Sequence, residues 1–175
     1  MSSQLVISAI APDRPGIAHE IISLVTDCGC NITESKMKAM GNTFSLVLMA
    51  KGEWNALAKL EHILPNKASS LGMTTMMQRT GPTEPRKELP YRVKVIALDY
   101  PGISKDLTNF FADQKIEIQE MSCNTYPAVQ TGAMIGSIKL TVGIPSGSSV
   151  SEIRERFNKF CAKTNLDGNM EPIAQ

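Results

Sequence analysis

Residues 13–17 (DRPGI) have the side chains to hold a small charged molecule, and the motif returns, slightly altered, as residues 99–103 (DYPGI). Each copy lies between a short apolar run and an amphipathic run, where a strand gives way to a helix. An Asp can cap the first N–H groups of a helix, and a Gly lets a ligand approach the backbone. A helix start also favours negative charge. The motif therefore predicts either a site for an anionic or zwitterionic ligand or a capped turn with no ligand.

The two motifs belong to an internal duplication. Five matched pairs share one offset of 86 residues: Asp13/Asp99, Gly16/Gly102, Ile17/Ile103, Ile32/Ile118 and Glu34/Glu120. Such self-similarity indicates a repeated unit of about 80 residues. We expect a first domain over residues 1–80, a linker rich in proline and charge over residues 81–90, and a second domain over residues 91–175.

Hydrophobic periodicity predicts the same order of elements in each unit. In the first unit we expect strands at 4–11, 30–40, 44–48 and 71–78, with helices at 17–28 and from Trp54 to just before Pro65. In the second unit we expect strands at 91–98, 116–126, 133–143 and 166–173, with helices from Ile103 and after a capping box of Ser149 and Glu152. This βαββαβ order predicts an α+β fold of two ferredoxin-like domains, each a four-stranded antiparallel sheet with two helices on one face. The uncovered face is then available to a dimer or domain interface.

Composition narrows the function. The chain has 175 residues, 18 of them basic and 17 acidic, so it lacks the basic excess expected of a direct nucleic-acid binder. No apolar run approaches the roughly 20 residues needed to cross a bilayer. The opening residues 1–4 show no cleavable signal pattern, and we expect a cytoplasmic protein without membrane contact.

Residues that could support metal binding or catalysis are sparse. The four cysteines lack metal-ligand spacing, and we expect reduced, mostly buried thiols and no metal site. His19 and His62 fall within helical stretches, and no nucleophile–base pair stands out. RNA-recognition domains stack bases on aromatic side chains of two central strands, whereas the first strand of the first unit and the third strand of the second unit carry none. We therefore expect no catalytic residue and no enzyme activity.

A strand, then D-R-P-G-I, a helix and a second strand opening with Cys30-Asn31-Ile32 resembles the ACT domain, the amino-acid-sensing module of many metabolic enzymes and regulators. The resemblance covers essentially the whole chain as two ACT units. It implies that paired units bind an amino acid at their seam, with ligand contacts from the first loop and from the start of the second strand. The implied contacts are Asp13, Arg14, Gly16, Ile17 and Asn31. Backbone amides and Arg14 suit the ligand carboxylate, and Asp13 or Asn31 suits its ammonium group.

The second copy departs from this pattern. Tyr100 stands where Arg14 does, and Glu117 stands where Asn31 does. A carboxylate at that position would repel the carboxylate of a ligand. The corresponding residues Asp99, Gly102 and Ile103 are therefore expected to form a possible second site that is degraded or purely structural, and we expect the first domain to be the sensor.

A tandem ACT pair of this length resembles amino-acid-responsive repressors that act through another protein. The resemblance implies a transcriptional activator as partner, glycine as effector, no other cofactor, and a homo-oligomer. The alternative is a regulatory or scaffold subunit of a metabolic enzyme with no ligand of its own. Substitution of Asp13 or Asn31 separates the two, because only a sensor would lose an amino-acid response.

Overall fold

The computed structural model describes residues 3–82 and 87–173. The chain divides into two compact units, Met1–Glu84 and Pro85–Gln175, which we call domain 1 and domain 2. Each contains one four-stranded antiparallel sheet and two helices in the order βαββαβ. The predicted α+β class and the two ferredoxin-like domains are confirmed.

Domain 1 places its two central strands between two edge strands, in the order β2-β3-β1-β4. Its elements are β1 (Ser3–Pro12), α1 (Ile17–Asp27), β2 (Asn31–Met40), β3 (Thr43–Gly52), α2 (Trp54–Ser70) and β4 (Thr74–Thr80). Alternate residues of β1 and β3 are buried, as expected for strands with one face toward a core. Ile21 and Leu60 lie on the buried faces of α1 and α2 and complete that core.

Domain 2 repeats the arrangement in the order β6-β7-β5-β8. Its elements are β5 (Glu88–Leu98), α3 (Ile103–Asp113), β6 (Glu117–Pro127), β7 (Met134–Pro145), α4 (Val150–Thr164) and β8 (Asp167–Pro172). Phe111 of α3 stacks on Phe157 of α4 with ring centroids 6.0 Å apart, and both side chains are fully buried. The Ser149 hydroxyl accepts a hydrogen bond from the Glu152 N–H at 3.4 Å, which confirms the predicted cap of α4.

The duplication extends to irregular features of the sheets. A β-bulge interrupts β2 between Ile32 and Glu34, and another interrupts β6 between Ile118 and Glu120, at the same 86-residue spacing. Bulges re-aim side chains and are specific features of a strand rather than random defects. The two units therefore share backbone detail as well as element order.

Some predicted boundaries are wrong. The second helix does not end before Pro65 but continues to Ser70, because Leu64 and Ala68 on its inner face are buried in the core. The next strand consequently begins at Thr74 rather than at residue 71. Strand β5 begins at Glu88, inside the segment predicted as a linker, while residues 83–86 of that segment lie outside the described residues.

Candidate functional site

The loop between β1 and α1, residues 13–16, holds most of the predicted ligand contacts; we call it loop 1. The Asp13 N–H donates to the Asn42 carbonyl at 2.9 Å, which ties loop 1 to the turn between β2 and β3. Gly16 adopts the left-handed conformation, with φ of +89°, and α1 starts at the next residue. The Ile17 N–H donates to the Arg14 carbonyl at 3.2 Å, so among the amides of the first helical turn those of Ala18 and His19 have no partner within the helix.

The Asp residues of both motifs do not cap the helices, contrary to our expectation. The N-cap positions are Gly16 and Gly102, and neither has a side-chain hydrogen bond. The capped-turn explanation of Asp13 and Asp99 is therefore wrong. The helix starts remain without a capping side chain, a state that suits an anionic ligand.

Arg14 forms a two-bond ion pair with Glu20 in the first turn of α1. Its guanidinium donates to the two carboxylate oxygens of Glu20 at 2.9 and 2.5 Å. The hydrogen bond with Arg14 lowers the pKa of Glu20, and the same bond raises the pKa of Arg14. Arg14 is thus placed to hold a carboxylate in a fork geometry, but a carboxylate of its own chain occupies it.

The other predicted contacts of loop 1 divide by exposure. Asp13 and Gly16 are exposed, whereas Ile17 is 3% exposed and packs in the core of domain 1. The side chain of Ile17 therefore anchors the helix start.

Asn31 lies at the opposite end of the sheet from loop 1. It pairs with Lys51, which pairs in turn with Gln4 near the start of β1, whereas loop 1 follows the last residue of β1, Pro12. Pro12 lies eight residues along the strand from Gln4, a distance of about 26 Å. The structure does not bring Asn31 and Asp13 together within domain 1.

The corresponding loop of domain 2 has the same backbone and different chemistry. The Asp99 N–H donates to the Met134 carbonyl at 2.9 Å, and Gly102 has φ of +106°. The Tyr100 hydroxyl donates to an Asp106 carboxylate oxygen at 3.2 Å. Burial, and then the contact with Asp106, raises the pKa of Tyr100. A phenol replaces the guanidinium here, so this loop offers no cationic side chain at the equivalent position.

The remaining residues of the second motif follow the first. Ile103 is 6% exposed and belongs to the core of domain 2, while Gly102 is exposed. Glu117 begins β6 and pairs with Gly143, at the end of the sheet away from Asp99. Glu117 is therefore as far from Asp99 in domain 2 as Asn31 is from Asp13 in domain 1.

Reasoning from the sequence missed the partners Glu20 and Asp106. Each stands six residues after its partner, Arg14 or Tyr100, in both repeats. Comparing the two repeats at that spacing would have indicated a paired position. It could not have shown that the pair is in contact across the loop and helix start.

Outside the two loops, the described part of the chain shows no helix that could span a membrane and no metal-ligand cluster. Across residues 3–82 and 87–173, no helix combines the length and apolar character needed to span a bilayer. The same described residues contain no group of three His, Cys, Asp or Glu side chains that could hold a metal ion. Cys28, Cys30 and Cys161 are buried and Cys123 is exposed, which confirms the expectation of mostly buried thiols.

Known proteins resemble this chain along its whole length. The ACT-domain family model matches residues 3–78. The glycine cleavage system transcriptional repressor of Escherichia coli (strain K12) is 32% identical over 99% of this chain and 93% of its own length. This chain belongs to that repressor family. The repressor of Shigella flexneri matches with the same identity and coverage.

Solved structures agree with this membership. A crystal structure assigned to a glycine cleavage system transcriptional repressor has a TM-score of 0.73 and 28% identity, covering 100% of this chain and 99% of its own. A protein from Galdieria sulphuraria has a TM-score of 0.80, covering 99% of this chain and 100% of its own, but its identity is 21%. The second likeness shows the fold alone. The chain is a regulatory tandem ACT protein of the glycine cleavage repressor family.

Proposed function

We propose that this protein is a glycine-responsive, non-enzymatic repressor of the glycine cleavage system that acts in the cytoplasm by binding a DNA-binding transcriptional activator. The identity of 32% over 99% of the chain to a repressor of that system carries the proposal. The net charge of +1 supports action through a protein rather than through direct DNA contact.

The proposed ligand site combines loop 1 of one copy of the chain with the start of β2 from domain 1 of a second copy. Strand β2 is an edge strand of ten residues, and nearly all of its side chains are exposed. Antiparallel pairing of two such edges places the start of one strand beside the end of the other, which is the end where loop 1 lies. This arrangement accounts for the separation of Asn31 from Asp13 within domain 1.

Glycine offers almost no apolar surface, so polar groups must supply nearly all of its affinity. In the proposed site the first-turn amides of α1 and the guanidinium of Arg14 bind the carboxylate. Asp13 and the amide oxygen of Asn31 from the adjoining unit bind the ammonium group. Because Glu20 already holds Arg14, the ligand carboxylate takes its place or shares the guanidinium.

Thermal unfolding of the full chain against glycine, serine and alanine tests this proposal. Glycine at 100 times its dissociation constant should stabilise the folded protein by about 2.7 kcal/mol. Asp13→Ala and Asn31→Ala should each abolish that stabilisation with little effect on folding, because both side chains are exposed. Asp99→Ala is the matched control, since Asp99 occupies the same place in the loop that lacks an arginine.

Either of two results would refute the site. A glycine response retained in Asp13→Ala and Asn31→Ala would place the ligand elsewhere. A flat response to all three amino acids in the parent protein, with a metabolic enzyme as the stable binding partner, would favour the scaffold subunit. The activator contact is tested separately by titrating purified activator in the presence and absence of glycine, where glycine should weaken binding.

A further inference from the structure

The face of the domain 1 sheet that points away from the helices is apolar at its centre; we call it the open face. The apolar side chains at its centre are Val6, Ile10, Val47, Met49 and Met76, and Met40 lies on the same face at the loop 1 end. Strand register places them together, because Val6 pairs with Met49 and Ser8 lies between Val47 and Met76. Ile10, Val47 and Met76 are 56%, 51% and 74% exposed. A shallow groove crosses this face between β2 and β3.

Domain 2 provides an internal reference for the open face. The same register assigns the counterparts Arg92, Ile96, Lys139, Thr141 and Asn169. Four of the five apolar residues of domain 1 are therefore polar or charged at the matching positions of domain 2. Since domain 2 adopts the same fold with mostly polar residues at the centre of this face, the fold does not require the central apolar residues of domain 1. A contiguous apolar patch that folding does not require marks an interaction surface.

We propose that the open face of domain 1 binds the open face of a second copy of this chain, giving a symmetric dimer. The inference goes beyond the proposed function, because this contact lies on the sheet face and not at the β2 edge that the ligand site uses, and it does not depend on glycine or on the activator. It assigns to domain 1 an interface that domain 2 lacks.

The distribution of charge suits a second copy. The charged side chains of the open face lie on one side, as Glu34, Lys36 and Lys38 of β2 and Lys51 near the end of β3. The outward residues of β4 on the other side are uncharged. A two-fold axis parallel to the strands stacks β2 of one copy over β4 of the other and Lys51 over Gln4. The apolar centres then meet, and no lysine faces a lysine.

The size of the face sets the expected strength of the dimer. Four strands about 4.8 Å apart and about 26 Å long present roughly 500 Å² on each copy. Two copies bury roughly 1,000 Å², which is at the lower limit for a specific interface. We therefore expect a dimer that forms and dissociates with concentration.

Sedimentation equilibrium over a range of concentrations tests the proposal. The average mass of the parent protein should rise from 19.1 kDa toward twice that value. Val47→Lys and Met76→Asn introduce the residues that domain 2 carries at the same positions. Each should weaken dimerisation at least tenfold while circular dichroism and thermal unfolding remain close to the parent. Val129→Lys is the control, because it places a lysine at a fully exposed position in the loop between β6 and β7 of domain 2.

Three outcomes would overturn the proposal. The parent protein could remain at 19.1 kDa at millimolar concentration. The dimer could persist in both Val47→Lys and Met76→Asn, which would assign it to another surface such as the β2 edge. Val129→Lys could weaken it as much as Val47→Lys. If Val47→Lys fails to fold, Val47→Thr keeps the side-chain shape and should still weaken the dimer. If Val47→Lys and Met76→Asn change the glycine response but leave the dimer unchanged, the open face affects the ligand site and the proposed dimer interface is refuted.

Discussion

Gly16→Ala tests whether loop 1 depends on a left-handed backbone at the start of α1. A Cβ on Gly16 meets no atom within 4 Å, so the substitution acts through the backbone and not through a clash. With φ at +89°, an L-residue costs about 1–2 kcal/mol relative to glycine. Alanine also lowers the conformational entropy of the unfolded chain, which stabilises the folded state by about 0.4–1 kcal/mol. The net expectation is a destabilisation of about 1 kcal/mol, which lowers Tm by about 4–8 °C in a domain of this size.

The single tryptophan makes this measurement specific to domain 1. Trp54 begins α2, so its fluorescence reports on the domain that contains loop 1 and on no other part of the chain. Gly81→Ala is the matched control, because Gly81 also has open space around it but does not have a left-handed backbone. Urea and thermal unfolding of both variants should separate a backbone effect from a general effect of replacing glycine. Glycine titration of Gly16→Ala should show a weakened response, since the first-turn amides follow this residue.

Equal stability of Gly16→Ala and Gly81→Ala would refute the reasoning. Such a result would mean that loop 1 relaxes to another conformation at no cost. If Gly16→Ala is less stable but responds to glycine as the parent does, the backbone argument is supported and loop 1 is not part of the ligand site. The two parts of the prediction can therefore fail separately.

Further predictions concern the core, an ion pair and the thiols. Leu48→Ala should destabilise domain 1 by about 2–5 kcal/mol in urea unfolding, because Leu48 is 1% exposed and the core cannot close the cavity. Glu61 accepts two bonds from Arg79, at 2.7 and 2.8 Å, which lowers the pKa of Glu61. The ion pair stabilises the folded state at pH values above the ordinary carboxyl pKa, and this stabilisation is lost as the pH falls through the lowered pKa of Glu61. On acidification, the Tm of Glu61→Gln should therefore fall less than the Tm of the parent protein. Burial raises the pKa of the Cys161 thiol to about 11, so iodoacetamide followed by mass spectrometry should label exposed Cys123 first; faster labelling of Cys161 would contradict its burial.

Local sequence chemistry predicted the elements well where a single segment determines them. The strand β1, the apolar stripe of α1 and the cap at Ser149 are each set by neighbours in the chain, and the structure confirms them. The end of α2 is different, because burial of Ala68 in the core carries the helix past Pro65. A tertiary contact of that kind leaves little local trace.

The candidate site shows a similar division. Loop 1 was predicted from its motif, but the role of Asp13 as a cap was wrong because the N-cap is Gly16. The distance of Asn31 from loop 1 is determined by the topology of the sheet, and the motif alone could not predict it. Strands β1 and β2 both run antiparallel to β3, so they start at the same end of the sheet. Asn31 therefore lies with the start of β1, and loop 1 lies with its end.

The two repeats also separate what the fold needs from what it does not. Arg14–Glu20 and Tyr100–Asp106 join the same loop position to the same helical turn, one through an ion pair and one through a phenol. Because both loops keep the same backbone, a hydrogen-bonded bridge at this position is sufficient for the structure. The positive charge of Arg14 is therefore not required for this bridge. The apolar centre of the open face is likewise not required for the fold, because the sheet of domain 2 has mostly polar residues there. Charge suited to a ligand carboxylate and apolar surface suited to a partner both occur in domain 1, which makes that domain the place to look for both the effector and the interface.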